Sequence, residues 1–161
     1  MQPDGGREEG EMGVKLTPGR GYIGREEGRL DKESEGLLII TSDGQLANKL
    51  THPSFEHEKE YLVWLYSAFD NKFISDLLSG VVLDGKLSKA TFVDRISENT
   101  FKITLKEGRN RQIRRMVELL GYEVQKLKRV RIGNFVLCLK NGEYKKLSKS
   151  EIQRLEKSMR Q

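Results

Sequence analysis

The sequence predicts an α+β fold, with a mostly antiparallel or mixed sheet and three or four helices. Short runs rich in apolar and β-branched residues, at 36–41, 61–66 and 101–105, are typical of strands. Two other segments, at 70–80 and 112–120, repeat apolar residues with the spacing of one helical face.

The size and composition of the chain limit what it can be. Its 161 residues, 36% hydrophobic and 33% charged, suffice for one modest core or two small lobes. No segment approaches the roughly 18 consecutive apolar residues of a membrane helix, and residues 1–13 lack the apolar core of a signal peptide. We therefore expect a soluble, cytoplasmic protein with no membrane partner. The single cysteine, Cys138, excludes an internal disulfide, and its apolar surroundings favour a buried side chain over a nucleophile.

The first third of the chain contains one clear strand. Residues 1–27 are rich in Gly, Glu and Arg without a period of 2 or 3.6, which predicts a poorly structured leader. The apolar run 36–41 predicts a buried strand that ends in a turn. A helix should follow, capped by Ser42 or Asp43, with an apolar face formed by Leu46, Ala47 and Leu50. Residues 51–59 are expected to form a loop.

The middle of the chain predicts a central strand, a helix and several short strands. The run 61–66 is apolar on both alternating faces, as in a strand that is covered on both sides. Asp70 is placed to cap a helix that ends at Gly80, with an apolar face formed by Phe73, Ile74, Leu77 and Leu78. Short strands continue to about residue 105, with turns at 84–85 and 98–99.

The last third predicts two helices around two strands. The helix at 112–120 places Arg114 at the boundary of an apolar face formed by Ile113, Met116, Val117 and Leu120. Strands are predicted near 124–131 and 134–139. A capping box at 148–151 should begin the final helix.

Positive charge is concentrated in one part of the chain. Of the net charge of +5, residues 109–131 carry eight basic and two acidic side chains, a balance of +6, so the rest of the chain sums to −1. Such a concentration is typical of a surface that meets phosphates, and the alternative is a solvated helix face.

No metal site is predicted. His52 and His57 are the only histidines, and they lack further ligands at a sensible spacing. Asp31, Glu33 and Glu35 alternate with other residues beside a strand and have no glycine-rich ligand loop, so we do not interpret them as a cation site.

Several motifs in one order carry a family resemblance. GRLD occurs at 28–31, EKEYLV at 58–63 and EGRNRQIRRM at 107–116, together with GLLIITSDGQLANKLTHP at 36–53, G-V-x-L-D-G at 80–85 and L-x-R-x-R-I-G at 127–133. The sequence resembles the catalytic domain of ribosomal RNA pseudouridine synthases of the small-subunit type, a group that includes enzymes modifying 23S RNA. The resemblance assigns a catalytic domain to residues 28–161. The S4-type RNA-binding domain and the first catalytic-domain segment usual in this group are expected to be absent.

The resemblance implies a reaction on ribosomal RNA, most similar to that of the 23S enzymes, without cofactor or metal. The N1–C1′ bond of a uridine is cleaved, the base rotates, and C5 is joined to C1′. By resemblance, Asp31 is the carboxylate that acts at C1′, either as a nucleophile or by taking the 2′ proton. The implied partner is ribosomal RNA or a ribosomal subunit precursor.

The resemblance also assigns roles to other side chains. Arg29 should fill the space left by the extruded base, Tyr61 should stack on that base, and Arg114 should pair with Asp31 and keep it ionised. The remaining expected RNA-binding residues come from the basic segment: Arg109, Arg111, Arg115, Lys128, Arg129 and Arg131.

Each residue also has an ordinary structural interpretation. Asp31 could be a turn residue, Tyr61 a core residue and Arg114 one more exposed base, so it is their occurrence together in the family order that favours function. The alternative function from another class is a catalytically inactive fragment that only binds RNA.

Overall fold

The computed structural model describes residues 12–17, 26–27, 33–41, 45, 57–109, 111–136, 139–140 and 142–158. Several predictions lie outside these residues. They concern Arg29, Asp31 and Cys138. They also concern most of the loop expected at 51–59 and the helix expected at 42–50, of which only Gln45 is described, and it is helical.

The centre of the sheet is formed by β4 (Lys59–Leu65), as the apolar run at 61–66 predicts. It pairs antiparallel with β8 (Thr100–Leu105) on one side and with β9 (Val124–Ile132) on the other. Val63 and Leu65 are fully buried on the face that meets the helices. The strand therefore presents one row of side chains, at positions 59, 61, 63 and 65, to the main core.

The sheet extends outward from β4 in both directions and confirms the predicted α+β class. On one side, β8 is followed by the edge strand β7 (Phe92–Arg95). On the other, β9 pairs parallel with β3 (Glu35–Thr41), whose four residues from Leu37 to Ile40 are all buried. Four more strands complete this sheet among the described residues: β1 (Met12–Thr17), β2 (Glu26–Glu27), β10 (Phe135–Val136) and β11 (Tyr144–Lys146).

The prediction of a poorly structured leader over 1–27 is wrong for two segments. Strand β1 pairs antiparallel with β3 along its whole length and with β11 on its other edge, and β2 also pairs with β3. These strands gain their hydrogen bonds from partners far along the chain, which a local search for periodicity does not detect. A short alternation of Met12, Val14 and Leu16 with more polar residues was the available signal.

Two helices begin with the predicted side-chain caps. Helix α1 (Asn71–Ser79) begins at Asp70, whose Oδ1 accepts a hydrogen bond from the Phe73 N–H at 3.0 Å, and ends at Gly80 with φ of 111°. Phe73 and Leu77 enter the core, whereas Leu78 is 40% exposed. The final helix, α3, spans Lys149–Ser158 and begins with the predicted capping box. The Ser148 N–H donates to the Glu151 carboxylate at 3.0 Å, and the Glu151 N–H donates to the Ser148 Oγ at 3.2 Å.

Helix α2 (Gln112–Leu119) packs against the sheet through Ile113, Met116 and Val117, as predicted. It also holds a small hairpin of β5 (Val81–Leu83) and β6 (Lys86–Ser88), which pair with each other away from the main sheet. The Ser88 hydroxyl donates to the Met116 Sδ at 3.4 Å. Asp84 and Gly85 make the predicted turn with φ of 51° and 77°, the left-handed conformation that a two-residue hairpin requires.

Buried apolar side chains form two clusters on the sheet. The larger lies between the sheet and helices α1 and α2, and the smaller joins Leu37, Ile39, Ile132 and Leu147. None of the helices described here is long and apolar enough to cross a membrane.

Candidate active site

The site is organised around one row of residues across three neighbouring strands. Gly36 on β3 pairs with Arg129 on β9, which pairs with Tyr61 on β4. Gly36 has φ of 120°, and a Cβ at this position would lie 2.3 Å from the Arg129 carbonyl oxygen. Only glycine fits here, so the approach of β3 to β9 depends on the absence of a side chain.

Arg129 is an interior residue. It is 2% exposed, and its Nε and Nη2 both donate to the Leu37 carbonyl oxygen, at 2.9 and 2.7 Å. Burial lowers the pKa of Arg129, while the neighbouring Tyr61 hydroxyl acts in the opposite direction and favours the charged form. The sequence predicted that Arg129 binds RNA, but the structure buries its side chain beside Tyr61.

Arg114 connects helix α2 to the segment that follows Asp31. It is 7% exposed, and its Nη2 donates to the Glu33 carbonyl oxygen at 3.0 Å and to the Ser34 Oγ at 3.3 Å. Its Nη1 also lies 4.0 Å from the Glu33 carboxylate. The predicted position of Arg114 at the boundary of the apolar face is confirmed, and its guanidinium is turned inward.

Arg111 binds the same segment from the start of α2. Its Nη2 lies 3.3 Å from the Glu33 carboxylate, and its backbone adopts the left-handed conformation, with φ of 49°. Arg114 on α2 and Arg111, which immediately precedes this helix, therefore hold residues 33 and 34. Asp31 lies two residues before Glu33 in the chain, outside the described residues, and its pairing with Arg114 stays a prediction.

Lys59 is a residue of the site that the sequence reasoning missed. It lies two residues before Tyr61 on β4, and a Cβ at Gly108 would be 2.9 Å from its Nζ. Burial, followed by repulsion from Arg129, lowers the pKa of Lys59 from 10.5 to about 8. Its strand position, on the same face as Tyr61, was the available signal.

Part of the basic segment is used to hold the hairpin in place. The guanidinium of Arg109 donates to the carbonyl oxygens of Leu83 and Lys86 and lies 4.0 Å from the Asp84 carboxylate. Arg115 forms a 2.6 Å ion pair with Asp84, whose pKa is lowered by that hydrogen bond. Arg109 therefore has a structural role in addition to any contact with RNA.

Carboxylates from elsewhere in the chain approach the remaining bases. Arg131 lies 3.5 Å from Glu58 and 3.3 Å from Glu60, and Lys126 lies 3.4 Å from Glu35. The local charge of +6 is thus partly offset in the folded chain. The most accessible arginine side chains of the segment are Arg111 and Arg115, at 37% and 31% exposure, and Lys128 is half-buried on β9.

Across the described part of the chain, no group of three or more His, Cys, Asp or Glu side chains could hold a metal ion. The site as described consists of one tyrosine and several cations, next to a segment that continues toward Asp31.

Comparison with known proteins identifies the family of this site. A protein-family model described as RNA pseudouridylate synthase matches residues 27–119. The chain belongs to this family. The match contains the GRLD motif, Tyr61 and Arg114, and every motif of the resemblance except L-x-R-x-R-I-G at 127–133 falls inside it.

Relatives in this pseudouridine synthase family confirm the resemblance. The chain is 44% identical over 126 residues to the dual-specificity RNA pseudouridine synthase RluF of Escherichia coli K12, covering 78% of this chain and 43% of the relative. It is 39% identical to ribosomal large subunit pseudouridine synthase B of Xylella fastidiosa Temecula1, covering 80% of this chain and 29% of that one. The chain thus spans less than half the length of these two relatives.

Solved structures give the same fold. A crystal structure of a pseudouridylate synthase matches with a TM-score of 0.84 and 29% identity, covering 93% of this chain and 75% of the other. A Cbf5–Nop10–Gar1 complex, at 15% identity and a TM-score of 0.55, covers 80% of this chain and 50% of the matched chain and shares the fold alone. The predicted fold of a pseudouridine synthase catalytic domain is confirmed.

Proposed function

We propose that this chain converts a uridine of ribosomal RNA to pseudouridine, and that its substrate is the RNA of the large subunit. The substrate class follows from the relatives, one of which is a ribosomal large subunit pseudouridine synthase. The proposed catalytic carboxylate is Asp31, with Tyr61 and Arg114 as its partners in the site.

The observation that carries this proposal is the binding of Arg114 to Glu33 and Ser34. A buried guanidinium fixed on the segment just after Asp31 provides the positive charge that a carboxylate needs to remain ionised in a partly dry site. An ionised carboxylate at C1′ stabilises the positive charge that develops on the sugar as the base departs. This holds whether Asp31 attacks C1′ or takes the 2′ proton.

The proposed reaction is an isomerisation that balances without a cofactor. The N1–C1′ bond breaks, the uracil rotates, and C5 forms the new bond to C1′. The proton on C5 is lost and N1 takes up a proton, so the composition of the nucleotide is unchanged. The base must leave the RNA stack to reach the site, and Arg29 is proposed to occupy the space that it vacates.

Tyr61 is suited to hold a rotating base. Its ring packs against the main core, and its hydroxyl lies beside the buried Arg129, so its position is fixed from below. An aromatic face binds uracil by stacking, which tolerates rotation better than hydrogen bonds to the base edges.

The proposed RNA-binding surface lies next to this site. Arg111 and Arg115 project from α2 with partly exposed side chains, and Arg131 and Lys128 lie on β9. The ion pairs of Arg111 with Glu33 and of Arg115 with Asp84 are surface pairs that an RNA phosphate can replace at little cost. Binding should therefore be sensitive to salt.

The test is to map pseudouridine by carbodiimide labelling and reverse-transcriptase stops on unmodified 23S and 16S transcripts. The chain is compared with Asp31→Asn and with Asp94→Asn, a matched substitution at an exposed position of the edge strand β7. A stop that forms with the chain and Asp94→Asn, but not with Asp31→Asn, is expected on 23S RNA. Binding that depends on salt without any stop would instead support the inactive RNA-binding fragment.

A further inference from the structure

We propose that Lys59 binds a backbone phosphate of the RNA next to the target uridine, and thereby positions the nucleotide over Tyr61. The inference rests on the proposed function for the identity of the ligand as RNA. It concerns a residue to which the sequence motifs gave no role.

The strand geometry places Lys59 in the candidate site. Side chains at alternate positions of β4 share a face, and Val63 and Leu65 on this face are buried in the main core. Tyr61 packs against the same core, and Lys59 is the next residue in this row. Its neighbour across β8 is Leu105, which is also buried. Lys59 therefore points to the same side of the sheet as Tyr61.

The acidic residues nearest to Lys59 in the sequence are engaged elsewhere. Glu58 and Glu60 both lie within 3.5 Å of the Arg131 guanidinium, and Glu60 also pairs with Lys102 at 3.6 Å. Glu107, in the loop after β8, accepts a hydrogen bond from Gln112 at 3.0 Å. Within the described ranges, Lys59 itself makes no ion pair, so its ammonium has no counter-charge there.

A cation in this position favours an anionic ligand. The ammonium is mostly buried and lies near the buried Arg129, and both effects disfavour its charged form, which is why its pKa falls to about 8. A phosphate bound by the Lys59 ammonium would supply the missing negative charge and favour the protonated lysine. The backbone of RNA offers such a group beside every base.

The Lys59 ammonium lies against Gly108, in the loop that follows β8. A Cβ at this position would lie 2.9 Å from the Lys59 Nζ, so a larger residue would crowd the group that is proposed to bind phosphate. Gly108 has a negative or extended φ and is not required by the backbone conformation. The space beside Lys59 Nζ is therefore the reason we assign to this glycine.

The test measures RNA binding rather than turnover, so that it is independent of the reaction. All proteins carry Asp31→Asn, and the affinity for an unmodified 23S transcript is measured by filter binding over a series of salt concentrations. Lys59→Gln, Lys59→Arg and Lys72→Gln are compared, where Lys72 is 79% exposed on α1 and serves as the matched loss of one charge. Circular dichroism verifies that each variant is folded.

Lys59→Gln is expected to weaken binding about ten- to hundredfold, the range for a charge-assisted hydrogen bond. The slope of log K against log salt should decrease in magnitude by about 0.7 to 0.9, the contribution of one phosphate contact. Lys59→Arg should retain most of the affinity and the slope, and Lys72→Gln should retain both.

An unchanged salt slope in the folded Lys59→Gln protein would overturn the inference, even if the affinity decreased, because a purely structural role would weaken binding without removing a phosphate contact. An equal effect of Lys72→Gln would overturn it too. The proposed function is contradicted by a different result, namely the absence of a reverse-transcriptase stop in the mapping of pseudouridine. That result would not affect a reduced salt slope for Lys59→Gln, so the two failures can be distinguished.

Discussion

Replacing Lys59 by methionine should stabilise the protein at neutral pH, and by an amount that decreases as the pH rises. Methionine has a similar length and no charge, so it retains the contacts of the aliphatic chain while it removes the buried ammonium. The difference in free energy of unfolding between the two proteins therefore measures how much the buried ammonium destabilises the fold.

The magnitude follows from the pKa of Lys59, which is lowered from 10.5 to about 8 in the folded chain. Each pKa unit corresponds to about 1.4 kcal/mol, so the folded protein is destabilised by about 3 kcal/mol when Lys59 is protonated in both states. Below pH 8 the whole cost is present. Between pH 8 and pH 10.5 the unfolded chain holds a proton that the folded chain has released, so the stability rises with pH and the cost disappears.

The assay is urea unfolding followed by the fluorescence of Trp64, the single tryptophan of the chain, which lies on β4. Free energies of unfolding are measured for both proteins from pH 7 to pH 10.5. Other titrating groups are common to both, so they cancel in the difference. Lys59→Met should be more stable by about 3 kcal/mol at pH 7, and the difference should approach zero near pH 10.5.

Lys72→Met is the control, because this lysine is exposed and paired with Asp76 on the same helix. It should show no gain in stability. If the difference in free energy of unfolding between Lys59→Met and the original chain stays constant from pH 7 to pH 10.5, the burial of a charged Lys59 is refuted.

Three further substitutions test other parts of the structure. Gly36→Ala should destabilise the chain by at least about 3 kcal/mol in urea unfolding, because the added Cβ would meet the Arg129 backbone at 2.3 Å. A loss of stability below about 1 kcal/mol would contradict the close approach of β3 to β9. Asp70→Ala should cost about 1 kcal/mol by removing the cap on α1, whereas Asp70→Asn should cost less, and equal losses would argue against the cap. Arg114→Lys should reduce the rate of pseudouridine formation at least about tenfold while RNA affinity is retained, because a single ammonium does not reproduce the contacts of the planar guanidinium with Glu33 and Ser34. Unchanged turnover would argue against a role of Arg114 in the reaction.

Local signals in the sequence predicted the elements that local interactions specify. The caps at Asp70 and at 148–151 and the turn at 84–85 depend on contacts within four residues, and each forms as predicted. The apolar run at 61–66 correctly predicted a central strand, which pairs with a neighbouring strand on each edge. In contrast, β1 is specified by distant partners, and its own six residues give only a weak alternation.

The position of Arg129 could not be derived from alternation along β9. The register between β4 and β9 shifts between Glu60 and Tyr61, so that Tyr61 pairs with Arg129 rather than with the residue after it. Such a bulge changes which residues face inward, and the buried set becomes Val124, Leu127, Arg129 and Ile132. A run of basic residues in the sequence therefore contained one interior residue that only the paired strands reveal.

The basic segment also shows why charge along a sequence differs from charge on a surface. Glu33 and Asp84 lie 78 and 31 residues from the arginines that they bind, and they lower the effective charge of the segment. The order of motifs led to Tyr61 and Arg114, whose roles in catalysis stay predictions. Lys59 emerged only from its burial and its contact with Gly108.

If Asp31 is required for the formation of pseudouridine, its replacement must prevent the loss of the proton on C5, which is released when C5 is joined to C1′. A 23S transcript labelled with tritium at C5 of its uridines is incubated with the chain, with Asp31→Asn and with Asp94→Asn, and tritium released to water is counted. We expect release by the chain and by Asp94→Asn, none by Asp31→Asn, and salt-dependent RNA binding by all three. Release by Asp31→Asn at the same rate would contradict the role of Asp31, and a lack of release by every protein would contradict the proposed reaction.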